Sequence, residues 1–220
     1  MPEPTHTEAP LHAEHFESLE RQAEAVRLGM WVFLASEALL FAALFALYAG
    51  YRAHWPLAFE EGVHHNDIYI GSINTIILIV SSFFAALAVQ SLEAEGRRVA
   101  VWSLAATVLL GLTFLGLKLW EWTMHVQEGF VPGGASAFFQ QHDTPGLPTF
   151  ATLYYIFTGL HALHVIVGCA ILAVFLWLVG SRRLGPLHGY RLEAGVLYWH
   201  LVDAIWIFLW PMFYLMGKAS

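Results

Sequence analysis

Four short stretches of this chain set ionisable side chains among apolar ones. "FLASEALLF" (33–41) holds Glu37; "LGLKLWEWTMH" (115–125) holds Lys118, Glu121 and His125; "TGLHALHVIVG" (158–168) holds His161 and His164; "EAGVLYWHLVDAIW" (193–206) holds His200 and Asp203. On a helix, steps of three or four residues put side chains on one face. Lys118 and Glu121 are therefore spaced for an ion pair, with His125 one further turn along. His161 with His164, and His200 with Asp203, are each one turn apart. Three chemistries use such groups: metal or haem ligation, hydrogen bonding between helices, and proton exchange.

The residue types discriminate among these. A di-metal carboxylate centre in a bundle takes Glu from several helices with Glu-x-x-His pairs, and the chain has too few carboxylates at matched depth. Haem ligation needs histidines on different helices at one level, which only His161 and His200 approach. Interhelical hydrogen bonds, each about 0.6–2 kcal/mol in a membrane, are the expected role of His161, His164, His200 and Asp203. Lys118 is expected to snorkel, with Glu121 as its partner. Glu37 alone is assigned to proton handling. No nucleophile and base stand in the arrangement that hydrolysis requires.

The elements that position these groups are set by composition. The chain has 220 residues, of which 58% are hydrophobic, 15% aromatic and 12% charged. That is far more apolar than a soluble domain. Five apolar runs reach the roughly 20 residues needed to cross a hydrocarbon core of about 30 Å, at about 27–51, 68–92, 99–124, 150–179 and 192–216. With no alternating pattern they read as helices rather than barrel strands. The expected fold is all-α, a five-helix transmembrane bundle over 27–217 behind a polar segment 1–26. Glu37 lies about ten residues into the first span, roughly 15 Å deep. A charge there costs about 2.5–3.5 kcal/mol on insertion scales, and desolvation favours its neutral form unless water or a cation reaches it.

Basic residues fix the expected orientation. Arg21, Arg27, Arg97, Arg98, Arg182, Arg183 and Arg191 fall on one side, against Arg52 and Lys218 on the other. The N-terminus is thus expected in the cytoplasm and the C-terminus outside, with the long external connection between the third and fourth spans made irregular by its Pro and Gly. His6, His12 and His15, like His64 and His65, are read as surface residues rather than metal ligands. Tryptophans and tyrosines in "YRAHW", "LWEW" and "LYW" are read as interface anchors. Gly159 and Gly168 are read as points of close helix approach, and Asn74, Ser81 and Ser82 as donors across it. The formal charge of -7 argues against nucleic acid as a partner. A lone cysteine, Cys169, excludes an internal disulfide.

Five segments, "GMWVFLASEALLFAALFALYAGY", "GSINTIILIVSSFFAALAVQSL", "LGLTFLGLKLWEW", "FATLYYIFTGLHALHVIVGCAIL" and "EAGVLYWHLVDAIWIFLWPMFYLMG", resemble in order subunit III of the haem-copper oxidases over about 28–217. The resemblance rests on Ser-Glu in the first span, Asn-Thr in the second, Lys and Glu in the third, His-x-x-His-Val in the fourth and Trp-His-x-Val-Asp-x-x-Trp in the fifth. It implies an accessory subunit without haem or copper of its own, both being held by partner subunits. That subunit packs on subunit I beside subunit II and small subunits, binds phospholipid, and supports proton uptake in a bacterial plasma membrane. Glu37 then matches the family's buried glutamate near subunit I, and Glu121, His161, His164, His200 and Asp203 match its helix-packing polar positions. Longer members have two further N-terminal helices, which puts their lipid-holding cleft in question here. A quinol oxidase or nitric-oxide-reductase-associated homologue is the alternative parent. A small transporter or a haem-binding membrane protein is the alternative of another class.

Overall fold

The computed structural model describes residues 18–217; the histidines at 6, 12 and 15 lie outside them. Seven α-helices follow one another: α1 (Leu19–His54), α2 (Pro56–His65), α3 (Ile68–Glu93), α4 (Arg97–Glu128), α5 (Ala137–Gln141), α6 (Leu147–Gly180) and α7 (Gly189–Tyr214), with no strand among the described residues. Five are long and apolar enough to span a membrane: α1, α3, α4, α6 and α7.

Local chemistry sets the ends. Ser18 Oγ accepts from the Arg21 amide and starts α1 ahead of the apolar run, so the polar lead-in and the span form one helix of 36 residues, about 54 Å long. Asp67 Oδ1 accepts from the Tyr69 amide at 2.8 Å and starts α3. Pro56 opens α2 at a position where its missing N–H costs nothing. Gly129, at φ 84°, ends α4. The connection expected to be irregular thus contains a short helix, α5, and the first external connection contains another, α2. α2 is an amphipathic turn that buries Ala58, Phe59 and Val63.

α3, α4, α6 and α7 form the packed core, and α1 leans on α7 at its edge. The apolar stretch of α7 is 50% buried, that of α1 only 11%. Four polar ties to α6, α7 and the segment after α7 hold α1: Arg27 to Glu193 at 2.9 Å, Glu37 to His164 near the middle, Tyr48 Oη donating to the Met212 carbonyl at 2.8 Å, and the Arg52 guanidinium donating to the Met216 carbonyl at 3.1 Å.

Indoles fill the core. Trp199 and Trp206 are fully buried, donating through Nε1 to Ser81 Oγ and Thr75 Oγ1, both at 3.0 Å. "LYW" is therefore core and not an interface anchor, because glycines facing it make room. A Cβ on Gly168 would lie 2.7 Å from Trp199 Cε3, and one on Gly111 2.7 Å from its Cη2. Gly159 has no such role, since only Trp122 approaches it, at 3.7 Å.

Candidate functional site

The polar side chains do not converge on one cluster. They separate into three bonded groups and one enclosed histidine, because each helix turns its polar residues toward a different neighbour. Lys118 and Glu121 face into the four-helix core and are each 2% exposed. The ammonium makes three contacts, with Glu121 Oε2 at 3.0 Å, Tyr154 Oη at 3.0 Å and Tyr214 Oη at 2.5 Å. Both phenols then donate to Glu121 Oε1, at 2.9 and 2.6 Å. Every proton of the ammonium has an acceptor, and the carboxylate has three donors. Lys118 does not snorkel, because its partners lie inward and its stem ends among the rings of Tyr154, Trp206 and Tyr214. A closed network of this kind holds helices together and has no free valence for chemistry.

His161 and His164 part company despite their spacing. His161 is wholly buried between Phe114 and Trp206, with ring centroids 5.6 and 5.1 Å away. Three residues on, the helix has rotated about 60° short of a full turn, which carries His164 toward α1. There its Nε2 lies 2.9 Å from Glu37 Oε2 and its Nδ1 2.7 Å from the Leu160 carbonyl. A carbonyl only accepts, so Nδ1 carries a proton. Nε2 and Oε2 must then share one proton between them, either as carboxylic acid to imidazole or as carboxylate to imidazolium. Without it two lone pairs would oppose each other. The pair is a one-proton site of zero net charge, and Glu37 does not act alone.

Both residues stand near the middle of their helices. The side chains of Glu37 and His164 keep 19% and 13% of their surface, so the site is partly open. Phe41 packs edge-on against the His164 ring, and Tyr198 Oη donates to the His164 carbonyl at 3.2 Å.

The third group joins α3 to α7. Ser82 Oγ lies 2.9 Å from His200 Nδ1 and hydrogen-bonds Asp203 Oδ2. Serine, not histidine, is the central member, so the group does not follow the serine–histidine–carboxylate order of a hydrolytic triad.

A fourth feature lies outside the spans. His65 of α2 meets Glu128 Oε2 at 3.2 Å and stacks among His125, Phe130 and Phe138. Burial holds its imidazole below the ordinary 6.5, with Glu128 pulling the other way.

Among the described residues, no three His, Cys, Asp or Glu side chains gather as a metal ion would require. Of the histidine pair nearest to haem spacing, His161 is enclosed by rings and His200 Nδ1 is engaged by Ser82.

Across sequences, the model of the family described as cytochrome c oxidase subunit III matches residues 5–218. The chain belongs to that family. The cytochrome c oxidase subunit 3 of Thermostichus vulcanus is 34% identical over 203 residues, covering 87% of each chain. The quinol oxidase subunit 3 of Bacillus spizizenii is 31% identical over 225 residues, 95% of this chain and 98% of the relative. A probable quinol oxidase subunit 3 of Staphylococcus haemolyticus is 27% identical, over 92% and 94%. The chain is thus a membrane protein of the oxidase subunit III family, and that family's members are components of multi-subunit oxidoreductases.

Tyr154, Tyr214 and the pairing of Glu37 with His164 were not evident from sequence. A tyrosine inside an apolar run carries no mark of burial, and pairs between distant helices leave no local spacing.

Proposed function

We propose that this chain is the non-catalytic subunit III of a respiratory haem-copper terminal oxidase in a bacterial plasma membrane. It packs directly on subunit I, beside subunit II and small subunits. Haem and copper belong to those partners. The arginine-bearing end, with Arg97, Arg98, Arg182 and Arg183, faces the cytoplasm.

The observation that carries the reading is the Glu37–His164 pair: one proton held near the middle of both helices, by residues that remain partly exposed, one of them on a helix whose apolar stretch is only 11% buried. An incompletely covered polar pair at that depth is costly against lipid alone. It is accounted for when a neighbouring subunit covers it and exchanges protons with it. The pair then supplies hydration and protons near the entry region of subunit I and sustains turnover. The closed Lys118–Glu121 network supports a packing role for the remainder, and His161, His200 and Asp203 act between helices. Cytochrome c is the electron donor, by analogy with the Thermostichus relative. A quinol-oxidising parent is the second reading, favoured by the match to the Bacillus subunit across nearly its whole length.

The test is made in the assembled oxidase. Glu37→Gln keeps a hydrogen bond to His164 but removes the carboxyl, and Glu37→Ala removes both. Both variants should begin turning over at the normal rate and lose activity and proton uptake faster during prolonged cycling. Indistinguishable time courses for wild type and both variants would reduce Glu37 to packing.

A further inference from the structure

Two carboxyl groups lie almost wholly inside the bundle, and their surroundings differ. Glu121, 2% exposed, has three donors, one of them an ammonium. Asp203, 5% exposed near the middle of α7, has the Ser82 hydroxyl at Oδ2, while its Oδ1 has no hydrogen-bond partner among the described residues. The ion pairs formed by those residues leave Asp203 out. Besides His200 on its own helix, Cys169 of α6 is the titratable side chain within electrostatic reach. A buried carboxylate needs donors or a cation in place of the water it has lost, and a single hydroxyl falls short of what Glu121 receives. The neutral acid needs less: Oδ2–H donates to Ser82 Oγ, and Oδ1 is left as an uncharged carbonyl oxygen.

Ser82 joins this carboxyl to a second titratable group. Its Oγ also lies 2.9 Å from His200 Nδ1, and His200 is partly exposed where Asp203 is buried. The three side chains thus form a hydrogen-bonded chain from a closed end to an open one, and the hydroxyl at its centre can accept and donate at once. Starting from the acid, Oδ2–H donates to Oγ, Oγ–H donates to Nδ1, and the neutral imidazole carries its proton on Nε2. When both hydrogens advance along these bonds, the carboxyl O–H and the old hydroxyl O–H break, a new O–H forms on Ser82 and an N–H on Nδ1, and His200 becomes imidazolium. Loss of the Nε2 proton to water then leaves a carboxylate, a hydroxyl and a neutral imidazole. One proton has left Asp203, and the charge of the group has fallen by one. Uptake is the same sequence reversed, and neither direction requires a side chain to turn over.

We propose that Asp203 is held as a carboxylic acid inside the bundle and exchanges its proton with the exterior through Ser82 and His200. This is a second proton-holding group beside the Glu37–His164 pair, on different helices, and it rests neither on that pair nor on the subunit role argued above. The Lys118–Glu121 network offers no such route, because each of its polar atoms is engaged inside the core.

The experiment is infrared spectroscopy of the full chain in maltoside micelles, whose detergent has no carbonyl, at neutral pH. A Glu37→Gln parent removes the other in-membrane carboxyl that is not paired with Lys or Arg. Surface carboxyls are ionised under these conditions, so the parent should show the carbonyl stretch of one protonated carboxyl, and Asp203→Asn should lose it. On transfer to heavy water the band shifts, and the time course of that shift reads the exchange. Ser82→Ala should slow it roughly a hundred-fold, the lower end of what a positioned proton-transfer group contributes. His200→Gln keeps a hydrogen bond to Ser82 but passes no proton through its amide, and should slow exchange as well if the fold of the first variant is in doubt. A variant that only loosened the helices would exchange faster. Absence of the band from the parent, which needs no relay variant to observe, would overturn the proposal. So would its persistence in Asp203→Asn, or exchange as fast in both relay variants as in the parent.

Discussion

The interior ion pair offers the sharpest check on how polar groups are accommodated in this bundle. Changing Lys118 to Met strands the Glu121 carboxylate, which keeps two phenolic donors but loses its cation. Breaking a buried pair on one side typically costs about 3–5 kcal/mol. The two remaining charge-assisted bonds place the expected loss near the lower end, about 3 kcal/mol. Glu121→Gln strands the ammonium in the same way and should cost a similar amount. Lys118→Met combined with Glu121→Gln leaves no charge behind and should lie within about 1 kcal/mol of the wild type. The coupling energy of the cycle is then several kcal/mol. Equilibrium unfolding of the chain in mixed micelles with increasing denaturing detergent measures all four species. A double variant as unstable as the sum of the two singles would refute the reasoning, since the stabilisation would then lie in the individual side chains and not in their mutual neutralisation.

Other outcomes follow from the same geometry. Gly168→Ala should destabilise by about 1–3 kcal/mol, because its Cβ would press on Trp199 and displace the indole from Ser81, a change readable in tryptophan fluorescence. Burial holds the folded-state pKa of His65 below its unfolded 6.5, so its contribution is complete above 6.5 and lost as the pH falls below it. Protection factors across 129–146, which remove the intrinsic slowing of exchange at lower pH, should therefore fall on acidification, with Glu128, His125 and His142 the neighbouring titratable groups, and His65→Phe should flatten that dependence. Arg27→Ala breaks a pair 54% and 33% exposed and should shift the unfolding midpoint by less than about 1 kcal/mol.

The spans were legible because twenty-residue apolar runs admit one solution in lipid. Glu37 was legible for the same reason, since a carboxylate there is rare enough to need an explanation. Its partner was not. His164 and His161 look equivalent in "HALH", and only the packing of α6 between α1 and the core sends one outward and the other into a cage of rings. Tyr154 and Tyr214 hold the Lys118–Glu121 pair from other helices, which no i,i+3 count reveals. The two short helices escaped notice because each is too brief for periodicity to separate it from a loop; α2 is fixed by the side chains it buries against its neighbours.

The edge position of α1 also bears on how the polypeptide is made. Ribosomes deliver helices in chain order, and the helix that α1 rests on emerges last. Glu37 precedes His164 by 127 residues, which at common elongation rates means on the order of 6–25 s between their syntheses. During that interval the nascent first helix resides in the bilayer with its carboxyl unmatched. If insertion machinery or an already assembled subunit shelters it until α6 and α7 arrive, depletion of that factor should strand newly made chains at this step, and Glu37→Gln should relieve the block.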